Sequence, residues 1–129
     1  MNKKITLIQS ELNNLDMRTD VDRVRFKIYA IYIEILLNHD LFQYNDDIKL
    51  FCQKLNISFK DYVFRSRTLL ISRVIRLIEK ADIQSLILYK SVADSLIESY
   101  SKNNLKKNKI RNDKLKKQSI NIIDKFGRN

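Results

Sequence analysis

Apolar residues recur every three to four positions along most of the chain, which is the spacing of amphipathic α-helices. Two such stripes lie in the first 37 residues, and the second, broader one predicts a helix from about residue 21 to Leu37. Its apolar face nearly encircles the helix, so we expect this helix at the centre of the core. Thr19 and Asp22 have the spacing of a capping box at its start. The first stripe predicts a helix over residues 3–15 and consists of Ile5, Ile8, Leu12 and Leu15.

A polar-bounded connection and a short helix follow. Residues 46–55 predict a third helix, with acidic residues in its first turn, where the positive end of the helix dipole favours them. A tight break at Asn56 and Ile57 ends it. Residues 38–45 predict a connector whose apolar side chains fold back onto the core, namely Leu41, Phe42 and Tyr44.

Two longer helices are predicted after this break. Ser58 and Asp61 have the spacing of a capping box, so the fourth helix is expected to run from Ser58 to about Ala81. A fifth helix is predicted over residues 83–102, with a 3-4 seam typical of packing against a neighbour, here helix four or two. The seam consists of Leu86, Tyr89, Ala93, Leu96 and Tyr100.

Turn-forming residues are almost absent from the chain. Its 129 residues include no proline and one glycine, Gly127, so breaks must be made by Asn, Asp and Ser. This composition disfavours β-hairpins, and a hydrophobic content of 44% is enough for a folded core. The sequence therefore predicts an all-α protein, with one compact domain of five to six helices over residues 1–101 and a basic C-terminal helical arm over residues 102–129.

The net charge of +10 is placed unevenly. From Lys102 onward there are ten basic and two acidic residues, so the arm carries +8 and residues 1–101 only +2. A nearly neutral body with a cationic arm is typical of a protein that contacts phosphates or acidic surfaces.

Most catalytic and cofactor chemistries have no candidate residues in this chain. Cys52 is the only cysteine and His39 the only histidine, and neither belongs to a cluster at metal-ligand spacing. The single glycine leaves no Gly-rich phosphate loop. We therefore expect a protein that is not an enzyme and holds no metal or cofactor.

The N-terminus lacks the apolar core of a signal peptide. The most apolar run, Ile28 to Leu37, carries Glu34 and falls short of the about 20 residues that span a bilayer. We expect no membrane partner and, with an unpaired cysteine, a cytoplasmic location. Abundant Ile, Asn and Lys are typical of AT-rich coding sequences, which favours a bacterial, plasmid or phage source.

The stretch 46–76 resembles a helix-turn-helix. In that motif a short helix with a small residue precedes a tight turn flanked by apolar residues, and a second helix enters the DNA major groove. Cys52 occupies the small position, Leu55 and Ile57 flank Asn56, and Tyr62 occupies an apolar position of the second helix.

The resemblance implies a transcription-related protein whose partner is double-stranded DNA. Arginine is the best bidentate donor to guanine, and the basic arm would hold phosphates through counterion release. The residues expected to contact DNA in the helix-turn-helix are Ser58, Lys60, Arg65 and Arg67. Those expected in the arm are Lys106, Lys107, Lys109, Arg111 and Lys114.

Three residues depart from the helix-turn-helix pattern and favour another interpretation. Arg65 stands where an apolar residue is usual, and Phe59 and Phe64 stand where polar residues face the groove. Exposed aromatic side chains fit a protein partner better than a DNA groove. In overall character the chain is similar to small phage proteins that bind host RNA polymerase, with Phe59 and Phe64 as the protein-binding residues. A third class with this character is the bacteriocin-immunity type of helical bundle.

Overall fold

The computed structural model describes the backbone of residues 3–126 and the side chains of residues 3–104. A 3₁₀ helix, Asp61–Arg65, lies between the third and fourth α-helices. No β-strand occurs among the described residues, so the predicted all-α fold is confirmed. The α-helices are α1 (Lys3–Asn14), α2 (Val21–Leu37), α3 (Asp47–Lys54), α4 (Arg67–Glu79) and α5 (Ile83–Phe126).

Helix α2 lies at the centre of the core, as predicted. It packs against α1 and α4. Through Tyr32 it also reaches two other helices: the hydroxyl donates a hydrogen bond to the backbone oxygen of Tyr89 in α5, and the ring lies 5.8 Å from that of Phe51 in α3. Burial raises the pKa of Tyr32 well above its ordinary value. The buried residues of α2 are Val24, Ile28, Ile31, Tyr32, Ile35 and Leu36.

Two details of the connections differ from the prediction. Asp20, not Thr19, caps α2, since its carboxylate accepts a hydrogen bond from the N–H of Asp22. In the connector after α2, Phe42 is buried as expected and its ring lies 5.2 Å from that of Phe51. Tyr44 does not fold back and is exposed.

The fourth helix starts nine residues later than predicted. Residues 58–60 are non-helical, and Asp61–Arg65 form the 3₁₀ helix. Ser66 is the N-cap of α4, because its hydroxyl accepts a hydrogen bond from the N–H of Leu69 at 3.3 Å. The capping-box prediction at Ser58 was therefore wrong.

Ser66 and the residues before it account for this break. Breaking the helix at Ser66 provides an N-cap there. The short 3₁₀ helix then buries Val63 and Phe64.

Helix α5 continues well past the end predicted at residue 102. It is one helix from Ile83 to Phe126, while the chain divides into two compact units between Ile97 and Glu98. Asp82 accepts a hydrogen bond from the N–H of Ser85 at 2.8 Å, which lowers the pKa of its carboxyl. In the first unit the seam of α5 is buried at Leu86, Tyr89, Ala93 and Ile97, so Ile97 takes the place expected for Leu96.

Candidate nucleic-acid interface

The predicted break after α3 is a Schellman turn. The N–H of Ile57 donates to the carbonyl of Cys52 at 2.9 Å, and the N–H of Asn56 donates to that of Gln53 at 3.1 Å. Asn56 has φ 58°, the left-handed conformation that asparagine tolerates better than most residues. The break predicted at Asn56 and Ile57 is therefore confirmed, and it directs the chain into the non-helical residues 58–60.

These non-helical residues and α4 together form a small basic pocket. Its volume is about 220 Å³, and Lys60 and Arg73 supply its two positive charges. No carboxylate lines it, and neither of these two side chains has an ion-pair partner among the described residues. The lining residues are Ser58, Phe59, Lys60, Tyr62, Val63 and Arg73. A hydroxyl and two positively charged side chains without ion-pair partners in one concavity suit an anion such as phosphate.

The pocket lies in the most basic part of the body. Between Lys54 and Lys80 the chain has seven basic and two acidic residues, a net charge of +5. The remainder of residues 1–101 carries −3. One of the two acids, Asp61, is 3.5 Å from the ammonium of Lys49, outside this stretch. The small net charge of the body therefore conceals a localised positive region.

Helix α4 extends this region beyond the pocket. Arg73, Arg76 and Lys80 are spaced i, i+3 and i+7, so they share one side of the helix. Arg65 is exposed at the end of the 3₁₀ helix. We use the name basic face for the set Ser58, Lys60, Arg73, Arg76 and Lys80.

Arg67, predicted to contact DNA, is bound within the protein. Its Nε donates to Oδ1 of Asn45 at 3.0 Å, and Nη2 donates to the carbonyl of Phe42 at 2.8 Å. Its Nη1 lies 3.1 Å from Nδ1 of His39. The guanidinium therefore ties the start of α4 to the connector between α2 and α3, and the structure does not join Arg67 to the basic face.

The two phenylalanines proposed to bind a protein partner are placed differently from each other. Phe64 is only 7% exposed, and the ammonium of Lys49 lies 5.3 Å from its ring centre. The exposure that protein binding would require is therefore contradicted for Phe64, because the 3₁₀ helix turns it inward. Phe59 is partly exposed, lines the basic pocket and lies 6.2 Å from the Phe64 ring.

The basic residues of the arm belong to the helical backbone of α5. Their side chains lie outside the described residues. They remain a sequence-based prediction, and they are Lys106, Lys107, Lys109, Arg111 and Lys114.

The described residues offer little for other chemistries. No cluster of three or more His, Cys, Asp or Glu residues among them is arranged to hold a metal ion. Cys52 is buried, and burial raises the pKa of its thiol from 9.0 to about 11, which opposes formation of a nucleophilic thiolate. Within the same part of the chain, no helix is both long and apolar enough to cross a bilayer.

No protein-family model, curated protein or solved structure matches this chain.

Arg73 was not among the residues predicted to contact DNA, although it lines the pocket with Ser58 and Lys60. Its signal in the sequence was the spacing of three basic residues away from the apolar stripe of α4, completed by Arg76 and Lys80. Identifying the pocket also required the non-helical conformation of residues 58–60, which the apparent capping box concealed.

Proposed function

We propose that this protein is a DNA-associated regulator of transcription that binds the phosphate backbone through its basic face and its C-terminal arm. One observation carries the proposal: Lys60 and Arg73 converge with Ser58 on a pocket that no carboxylate lines. Unpaired cations that share a concavity can each neutralise a phosphate and release its condensed counterions.

The details of this binding mode differ from those of the helix-turn-helix that the sequence resembles. In that motif, residues at the start of the second helix contact base edges. Here α4 begins at Arg67, whose guanidinium is hydrogen-bonded to the connector. We therefore assign the basic face to phosphate contacts, which fix position and orientation on the duplex.

The test is a fluorescence-anisotropy titration of labelled duplex DNA over a salt series. Each lost phosphate contact should reduce the magnitude of the slope of log K against log salt by about 0.9. The double variant Lys60→Gln/Arg73→Gln should therefore lower that magnitude by about 1.8 and weaken binding roughly 10- to 50-fold near 0.1 M salt.

A matched control is the double variant Arg18→Gln/Arg23→Gln, which removes two exposed positive charges outside the basic face. It should change the slope by less than about a quarter as much, since neither arginine lines the basic pocket. Equal losses in the two variants would mean that only net charge matters, and would contradict a localised interface. Glutamine at the five arm positions in the full-length chain measures the separate contribution of the arm.

A second candidate function is an adaptor that binds RNA polymerase or another large protein beside DNA. The observation that favours it is the exposure of Tyr62 and the partial exposure of Phe59 at the rim of the basic pocket. Aromatic residues and arginine are enriched in protein interfaces. Charge reversal at Lys60 and Arg73 should abolish DNA binding under the first candidate. Under the second, any DNA binding should persist while Tyr62→Ala weakens association with the protein partner.

A further inference from the structure

Helix α2 has an apolar stripe on the side away from the core. Phe26, Ala30, Ile33 and Leu37 are spaced i, i+4, i+7 and i+11, so they share one side of the helix. Phe26 is 75% exposed and Leu37 is 52% exposed, while Ala30 is exposed and Ile33 partly so. A contiguous apolar stripe on an exposed helix face is typical of an interaction site.

The same stripe borders a groove between α1 and α2. The groove has a volume of about 410 Å³, and Phe26 and Ala30 line it together with Leu7 of α1, which is also largely exposed. Its charged rim is balanced, with one lysine and one glutamate from each helix. These are Lys4 and Glu11 on α1, and Lys27 and Glu34 on α2.

The order of the charges on α2 identifies the occupant that fits. The stripe has the a/d spacing of a coiled-coil seam, with Phe26 and Ile33 at d and Ala30 and Leu37 at a. Lys27 and Glu34 then both occupy e positions, seven residues apart. Two parallel copies in register give Glu34 no opposite charge across the seam, and the acid they bring to Lys27 is Asp22, which is already paired with Arg25. Two antiparallel copies place each lysine beside the other copy's glutamate, twice over.

We propose that a second copy of this chain docks here through an isologous two-fold contact, α2 against antiparallel α2. Phe26 of each copy then covers Leu37 of the second copy, and Ala30 faces Ile33, as in the a–d layers of an antiparallel pair. A two-fold contact satisfies both Lys27–Glu34 pairs at once. This proposal rests on different residues from the basic face and does not depend on DNA binding.

The first experiment measures the mass of the full-length chain in solution by sedimentation over a roughly hundredfold range of concentration. A monomer–dimer equilibrium is expected for the natural sequence. Phe26→Glu should weaken dimerisation roughly 100-fold, since the two-fold contact places the new charge in an apolar layer twice. Leu50→Glu is the matched control, because Leu50 is a 65% exposed residue on α3, outside the stripe, and it should leave the dimer unchanged. Far-UV circular dichroism checks that both variants keep their helix content.

The second experiment uses the charge pairing itself. Lys27→Glu places glutamate beside glutamate in the dimer, and Glu34→Lys places lysine beside lysine, so each variant alone should dimerise roughly tenfold more weakly. In a mixture of the two variants every pair across the contact is again of opposite charge. The mixture should therefore form heterodimers about as readily as the natural sequence forms homodimers.

Recovery in the mixture supports the proposal and cannot arise from misfolding, because both variants are weak alone. A chain that stays monomeric throughout the concentration range would overturn it. So would a dimer that Phe26→Glu leaves intact, or a mixture that dimerises no better than its two components.

Discussion

Two connections flank α3, and their polar groups are used in opposite ways. In the connector before α3, Asn38 is buried, and its side-chain oxygen accepts hydrogen bonds from the N–H groups of Asp40 and Leu41. Arg67 reaches the same connector from α4 and bonds to Asn45 and to the Phe42 carbonyl. The polar side chains of this connector thus hold the fold together.

In the connection after α3, the backbone is fixed by local bonds and the basic side chains remain available. The Schellman turn and the Ser66 cap satisfy the two ends of the connection. Between them, Lys60 lines the basic pocket and has no acidic partner among the described residues. A basic residue near a turn is therefore a binding candidate only when its donors are not already used inside the protein.

Replacement of Arg67 should have the largest effect on stability. Arg67→Gln should lower the free energy of unfolding by about 3 kcal/mol, because it removes charge-assisted hydrogen bonds and leaves the Phe42 carbonyl without a donor. Urea denaturation measures this loss. Arg67→Lys should recover little of it, since a single ammonium cannot reproduce the forked contacts of a guanidinium.

Arg76→Gln is the matched control for that variant, because Arg76 is exposed on the same helix. It should change the free energy of unfolding by less than about 0.5 kcal/mol. The pair Lys60→Gln/Arg73→Gln should likewise leave stability nearly unchanged while it alters the salt dependence of DNA binding. A stable Arg67→Gln protein with weakened DNA binding would reverse the roles assigned to the two connections.

Alkaline pH should lower the free energy of unfolding through Cys52 of α3, the helix that the two connections share. The pKa of the buried Cys52 thiol is raised from 9.0 to about 11, so the folded state retains this proton more tightly than the unfolded state. The resulting stability is fully present below pH 9 and is lost as the pH rises to about 11. The loss should amount to about 2 to 3 kcal/mol, measured by urea denaturation at a series of pH values.

Cys52→Ala is the control for this titration, because alanine does not ionise. Because the substitution itself changes the stability at pH 8, the two proteins are compared by how their stability changes with pH. Between pH 9 and 10 its free energy of unfolding should fall less than that of the natural sequence. Above pH 10 both proteins should lose stability, because Tyr32 ionises there in the unfolded chain while burial raises its pKa and keeps its proton in the folded state. Parallel curves between pH 9 and 10 would exclude Cys52 as the source of the decline.

Much of this fold was predictable from local patterns. The apolar stripe of α2 and the break at Asn56 each depend on neighbouring residues alone, and both were located correctly. The start of α4 was not, because Ser58 and Ser66 both look like N-caps. The choice between them depends on the tertiary burial of Val63 and Phe64, which no short window of sequence contains.

The candidate site was only partly predictable for the same reason. Ser58 and Lys60 were predicted to contact DNA, and the structure places both at the basic pocket. Arg67 and Arg73 carry the same side chain and lie six residues apart on the same helix. Only the position of the connector, which meets Arg67 and not Arg73, separates the structural arginine from the candidate for binding.

The smallest predicted effect tests the choice between the two serines directly. Ser66→Ala should lower the free energy of unfolding by about 1 kcal/mol, the usual cost of removing an N-cap hydroxyl, because the N–H of Leu69 loses its acceptor. Ser58→Ala is the matched variant and should cost less than about 0.3 kcal/mol, since Ser58 caps no helix in the structure. Thermal unfolding of the two variants beside the natural sequence resolves this difference. If Ser58→Ala proved the more destabilising, the fourth helix would begin at Ser58, and the non-helical segment that forms the basic pocket would not exist as described.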